Sequence, residues 1–146
     1  MAHYNFEKDL ADGHKAEDEA KVLIAQFFEV PITDITTNAT KEYDFKINCS
    51  QLCFEVKNDL MAHITGNLAI EYESRGKASG ITTSKAHYWI YKFSNQYYLL
   101  KSELLKKELF ENKNYFKTVT GGDTGSNTKM FLVKVAEFIK WATKLN

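Results

Sequence analysis

The chain has 146 residues, equal numbers of acids and bases, and 44% hydrophobic residues, which suits one domain burying about 68–70% of its unfolded surface. No stretch reaches the roughly 18 apolar residues of a membrane helix, and MAHYNFEKDLADGH has acids where a secretory signal has its apolar run, so no membrane helix is expected and the cytoplasm is the default expectation. Cys49 and Cys53 form no disulfide framework, and no histidine stands at zinc spacing from them, so both are read as ordinary thiols.

Charge is unevenly distributed. Residues 1–44 carry ten acids against four lysines, whereas 74–101 hold Arg75, Lys77, Lys85, Lys92 and Lys101 with no acid. That segment suits a polyanion; the plainer reading is a solvated lysine-bearing surface, since overall neutrality argues against strong nonspecific nucleic-acid affinity.

In chain order, Ala16, Ala20, Leu23, Ile24 and Phe27 form one stripe at helical spacing. They predict an amphipathic helix from about His14 to Phe28, with Asp12 as cap, Gly13 in the turn, and an end near Glu29 forced by Pro31. The Thr- and Asn-rich run 32–41 reads as loop. Tyr43 to Ile47 and Leu52 to Lys57 read as strands joined by a turn over Asn48 to Gln51, and Asn67 to Glu73 as a third strand. Leu60 to His63 is ambiguous. Gly76 to Gly80 breaks the third strand, and Ile81 to Ala86 is expected to make about two helical turns.

HYWIYKF and QYYLL then read as a hairpin turning at Ser94 and Asn95. Ser102 is expected to cap a helix over ELLKKELF. KTVTGGDTGSNTK reads as a Gly-rich loop or loose hairpin, and the tail as one helix or, favoured by Phe131, Val133 and Val135, a strand MFLVKV followed by a helix AEFIKWA. GGDTG is not a phosphate-binding Walker loop, since no GK[ST] follows.

Glu55 and Lys57, two apart on a strand, leave one face while Phe54 and Val56 leave the other. Asp44 stands on the preceding strand, so a favourable register brings Asp44 and Glu55 toward one ion. Two converging carboxylates repel unless a cation compensates them, and a hard divalent ion takes such oxygens while leaving positions for water and a phosphate oxygen. Lys57 is then placed to orient or deprotonate a water, or to neutralise a phosphate. An E-x-K strand motif alone is weak, because strand salt bridges are common.

The order of elements, with an acid opening the second strand and E-x-K on the third, resembles the PD-(D/E)XK nuclease superfamily. Asp44 in KEYDF matches the first acid and Glu55-Val56-Lys57 in CFEVKND the signature, with Tyr43 where the nominal pattern has proline. Gly13 and Glu17 in GHKAEDEA resemble the first-helix glutamate that many members aim at the site. GNLAIEYESRGKASGITTSKAHYWIYKF resembles small phage and prophage endonucleases of the superfamily, and Lys85 matches their helix lysine near the site. The likeness covers about residues 12–100, with 101–146 as a C-terminal elaboration, and requires either that Tyr43 to Ile47 opens the sheet or that a short strand hides in 32–41.

The resemblance implies an α/β fold with a restriction-endonuclease-like core, a mixed central sheet flanked by helices. It implies a DNA endonuclease in which Asp44, Glu55 and Glu17 hold Mg²⁺, with Mn²⁺ able to substitute, and Lys57 serves the substrate, leaving 5′-phosphate and 3′-hydroxyl ends. Separately, the limited surface of a small domain points to a homodimer acting on a branched or two-stranded substrate, with sequence-specific cleavage and RNA as open alternatives. Arg75 and Lys77 around Gly76, together with Thr82, Thr83, Ser84 and Lys85, are the expected DNA contacts. Glu71, Glu73 and Asp59 are further acids weighed for the centre, each with a bland surface reading. A catalytically inactive nucleic-acid-binding protein on the same fold, and an unrelated α/β domain in which Glu55 and Lys57 form a strand salt bridge, are the competing readings.

Overall fold

The computed structural model describes residues 6–122 and 124–146, so Asp123 of the GGDTG stretch lies outside the described residues. The first helix, α1, spans Phe6–Phe27, so Asp12 and Gly13 lie inside it rather than at its start. Gly13 has no neighbour where a Cβ would stand, and the surrounding helix formers outweigh its cost of about 1 kcal/mol. Ala16, Ala20 and Ile24 are completely buried, as the stripe predicts, but Phe27 is half exposed. The helix ends as Glu29 turns left-handed (φ 55°) and Val30 donates its N–H to the Ala25 carbonyl, before Pro31 is reached.

Strands β1 (Ile35–Thr37), β2 (Phe45–Ile47) and β3 (Leu52–Asn58) follow; of the two alternatives, a short strand, β1, lies within the run 32–41 that reads as loop, and Tyr43 to Ile47 does not open the sheet. A six-stranded mixed sheet runs in the order β1, β2, β3, β6 (Tyr88–Phe93), β7 (Gln96–Lys101), β10 (Thr143–Lys144). All its pairs are antiparallel except β3 with β6. A parallel pair requires a crossover, and the crossover carries α2 (Ala62–Thr65), β4 (Asn67–Ser74) and β5 (Lys77–Ala78). The strand expected over Asn67 to Glu73 therefore forms, but outside the main sheet. With β8 (Lys117–Gly121) and β9 (Thr128–Lys134) it builds a second sheet in the order β5, β4, β9, β8. Helices α3 (Ser102–Glu111) and α4 (Val135–Trp141) complete the chain.

The expected helix over Ile81 to Ala86 is instead a single 3-10 turn, Gly80–Thr82. Its β-branched run Ile81, Thr82, Thr83 disfavours helix, and Thr82 spends its hydroxyl on the Tyr72 carbonyl (2.8 Å). Gly80 (φ 55°) lies so close to β4 that a Cβ there would stand 2.2 Å from the Glu71 carbonyl oxygen. The turn is thus clamped to β4. Ser102 opens α3 but does not cap it: Lys101 occupies the cap position and makes no side-chain cap hydrogen bond.

Two cores lie on opposite faces of the main sheet. On one, Ala20 and Ile24 of α1 pack on Phe45, Ile47, Phe54, Ile90, Tyr97 and Leu99. On the other, Trp89, Tyr91, Phe93 and Leu100 meet Leu68, Ile70, Phe131 and Val133 of the second sheet, Leu105 and Leu109 of α3, and Phe138 of α4. The layers are α1, the mixed sheet, then the second sheet with α3 and α4. Among the described residues no helix is long and apolar enough to cross a membrane.

Phe45, Phe54 and Tyr88 lie in one register row across β2, β3 and β6, with ring centroids 5.1 and 5.4 Å apart and planes within 17°. Burial of such a ring stabilises strongly, so Phe54→Ala is expected to cost about 3–5 kcal/mol. Urea unfolding checks this; a loss below about 1 kcal/mol would remove the row from the determinants of register.

Candidate functional site

The alternation on β3 sends Phe54 into the α1 core and Glu55 and Lys57 to the opposite face, as the strand period requires. Glu55 pairs in register with Trp89 and Lys57 with Tyr91. The Lys57 ammonium lies 3.3 Å from Glu55 Oε1 and 5.5 Å from the Trp89 ring centroid, an ion pair and a cation–π contact that together fix the long side chain.

Asp44 directly precedes β2. Its N–H donates to the Phe54 carbonyl (2.9 Å), and its Oδ2 accepts the Val56 N–H at 2.7 Å. The carboxylate is therefore tied to the backbone of the E-x-K strand, one register step beyond Phe45 and Phe54. Its Oδ1 has no hydrogen-bond partner among the described residues.

Glu17 reaches the same place from α1. Burial raises the Asp44 carboxyl above its ordinary range, against the lowering effects of the Val56 N–H, Lys57 and Lys21. Burial likewise raises Glu55; Lys57 opposes the shift, while Asp44 and Glu17 add to it. Glu17 is raised first by burial and then by the charge of Asp44, with Lys21 and His14 opposing. Glu17 and Glu55 thus each feel Asp44, and three carboxylates, from α1, from the residue before β2 and from β3, share one electrostatic neighbourhood.

Lys21 belongs to this group, although the sequence reading passed over it. Its ammonium is 3.7 Å from Glu17 and 3.6 Å from Asp18 and donates to the Thr37 hydroxyl of β1. The signal available in the sequence was its i+4 spacing from Glu17.

Glu55 and Lys57 open into a cleft of about 420 Å³, whose walls include Lys41, Glu42, Glu71, Thr83, Ser84, Lys85 and Trp89. Thr83, Ser84 and Lys85 are thus brought to the E-x-K pair, while Thr82 is turned onto β4. Ser84 accepts the Trp89 indole N–H at 2.8 Å, which fixes the wall above Lys57. Arg75 and Lys77 do not line this cleft. Arg75 and Gly76 form a tight turn between β4 and β5, both with positive φ, and the Arg75 N–H donates to the Ser126 carbonyl at 2.7 Å.

The remaining acids separate. Glu71 lines the cleft, and with Lys57 and Trp89 it lines an adjoining one of about 310 Å³. Glu73, across a shift in the β4–β9 register, pairs with Lys129 at 3.0 Å. Asp59 is a structural acceptor: Oδ1 takes the Met61 and Ala62 N–H groups and Oδ2 the Ala69 N–H, each at 3.0 Å. It starts α2 and ties it to β4. Cys49 and Cys53 are free thiols.

Among the described residues, no three His, Cys, Asp or Glu side chains are gathered tightly enough to hold a metal ion by themselves. Magnesium does not need that: it commonly uses one or two carboxylates and keeps waters and substrate oxygens for the rest. Asp44 and Glu55 fit such a role, being oxygen donors whose charged forms are held under mutual repulsion, with one Asp44 oxygen unengaged. No protein-family profile and no curated protein matches the chain, so the functional reading rests on this geometry.

The raised carboxyls have a consequence for stability. A folded-state value above the unfolded one means the native protein binds protons more tightly, so the contribution is present at low pH and lost as pH rises from about 4 through the folded values. In metal-free protein, Glu55→Gln and Asp44→Asn are expected to flatten the decline in thermal midpoint between pH 4 and 7. Profiles as steep as wild type in both variants would show that folding does not raise these carboxyls.

Proposed function

We propose that the chain is a divalent-metal-dependent endonuclease hydrolysing phosphodiester bonds of DNA, with Asp44, Glu55 and Lys57 at its centre and Glu17 in support. The observation that carries this reading is the placement of Glu17, Asp44 and Glu55 in one electrostatic neighbourhood, with Lys57 3.3 Å from Glu55 at the mouth of a cleft. A solely structural E-x-K salt bridge gains nothing from two further acids, whose like charges weaken the site in the absence of a cation. The restriction-endonuclease-like core belongs to the same proposal. Its support is the order α1, β1, β2, β3 and the parallel return of β6 beside β3.

Asp44 and Glu55 would hold Mg²⁺ or Mn²⁺, with Glu17 acting on the ion directly or through water. A bound divalent ion supplies Lewis acidity toward a phosphate oxygen and a more acidic water. Lys57, held between Glu55 and the Trp89 face, presents a localised positive charge to the phosphate or orients the attacking water. Thr83, Ser84 and Lys85 on the facing wall supply hydroxyls and an ammonium for the neighbouring backbone oxygens. Lys21 keeps the Glu17 carboxylate oriented toward Asp44.

The substrate is expected to be branched or otherwise distorted DNA, bound by two copies of the chain, since one small domain offers limited contact surface. Arg75 and Lys77, on the exposed tip of the second sheet, are proposed as outlying DNA contacts rather than as cleft residues.

Protein incubated with Mg²⁺ or Mn²⁺ and linear, nicked, flapped and four-way DNAs is expected to give metal-dependent products ending in 5′-phosphate. Asp44→Asn, Glu55→Gln and Lys57→Ala should each slow cleavage by about 100-fold or more. The proposal fails if no substrate is cut with either metal, or if Asp44→Ala and Lys57→Ala leave the rate unchanged. Calorimetry of Mn²⁺ binding to wild type and Glu55→Ala separates loss of metal from loss of catalysis, and metal binding without any cleavage would favour an inactive nucleic-acid-binding protein.

A further inference from the structure

A second cleft, of about 440 Å³, adjoins the candidate active cleft and shares Ser84 and Lys85 with it. Its walls bring Lys101 and Lys106 to Lys85 and His87, with Glu103 as the acid among its lining residues. It is therefore more basic than the cleft that holds Glu55 and Glu71. Lys101 comes from the acid-free segment of the sequence and has no part in the proposed centre.

The cleft also receives the start of α3, a ten-residue helix. The first N–H groups of a helix have no intrahelical acceptor and carry a partial positive charge. Here the cap residue Lys101 makes no side-chain hydrogen bond to them; among the described residues the Ser102 N–H is accounted for, by the His87 carbonyl at 2.9 Å. Ser102 lines the cleft. Although the residue is only 3% exposed, its hydroxyl has no hydrogen-bond partner. A buried hydroxyl without a partner is costly, and Ser102, at the first helical position rather than the cap, does not spend its oxygen on the helix. The hydroxyl, the uncapped first turn and three ammonium groups are the chemistry that a tetrahedral, multiply charged oxyanion satisfies.

We propose that this cleft is a phosphate-binding subsite, formed by Lys85, Lys101, Lys106, Ser102 and the α3 N-terminus. It takes a backbone phosphate of a nucleic-acid strand that continues from the candidate active cleft through the shared Ser84–Lys85 wall. Assignment of that phosphate to a substrate strand rests on the proposed function; phosphate binding itself does not. Glu103 opposes the anion and limits affinity for free phosphate, so the subsite favours a phosphate delivered by a strand already held elsewhere.

The test uses the whole 146-residue chain in EDTA, where no cleavage occurs, with inorganic phosphate and then a short single-stranded oligonucleotide as probes. Inorganic phosphate is expected to shift the Ser102, Glu103 and Leu104 amide resonances selectively. Lys101→Glu combined with Lys106→Glu should weaken it by about tenfold or more, Ser102→Ala less, and Glu103→Gln should tighten it. The same double reversal should lower oligonucleotide affinity and reduce the slope of its salt dependence by about one to two. Absence of selective shifts at the α3 amides, or phosphate binding indifferent to both lysine reversals and to Ser102→Ala, overturns the subsite. Oligonucleotide binding unmoved by the double reversal overturns its assignment to the strand. Asp44→Asn run in parallel separates the two proposals, since it disables the centre while leaving phosphate binding intact.

Discussion

The row of stacked rings Phe45, Phe54 and Tyr88 is the contact on which the site depends. Side chains on a strand alternate, so locking these three rings against α1 forces the next row of β3 and β6, Glu55 and Trp89, to the other face of the sheet, while Asp44, just before β2, is tied to the Val56 N–H beside them. A slip of one residue between β2 and β3 would bury Glu55 under α1 and expose Phe54. Aromatic burial on one face therefore holds the polar chemistry on the other in register.

That polar row is electrostatically unfavourable by itself. Burial raises all three carboxyls, and Asp44 is within reach of both Glu17 and Glu55 as a like charge. Lysines offset this: Lys57 beside Glu55, and Lys21 between α1 and β1. The lysines do not cancel the repulsion, and the balance left is what a cation can relieve. Folding energy from the apolar layers thus holds a charge arrangement that would otherwise disperse.

The crossover between β3 and β6 turns this polar row into a cleft. It builds β4 and β5 into a second sheet, and Gly80 brings the following turn against Glu71 so closely that only a residue without Cβ fits. Residues 83–85 then stand opposite Glu55 and Lys57, and Ser84 is fixed by the Trp89 indole. The same segment forms the wall between this cleft, lined by glutamates and lysines alike, and the more basic one at the start of α3. Two clefts of different charge are thereby separated by a single short stretch of chain.

Local pattern determined much of this. Period-two alternation placed Phe54 and Val56 opposite Glu55 and Lys57; the Ala16, Ala20, Ile24 stripe gave the buried face of α1; and Ser94-Asn95 gave the β6–β7 turn, both residues having positive φ. The pairing of Asp44 with the E-x-K strand was legible because β2 and β3 are joined by a short turn. Contacts between distant segments were not legible. Leu68 with Val133 makes β4 a partner of β9, and docking of Gly80 on Glu71 replaces the expected helix by one turn. Lys21 and the unsatisfied Ser102 likewise depend on what packs around them. Local sequence reports which face a side chain leaves. What waits on that face is set by chain folded back from elsewhere, since burial and charge depend on neighbours that no local spacing specifies.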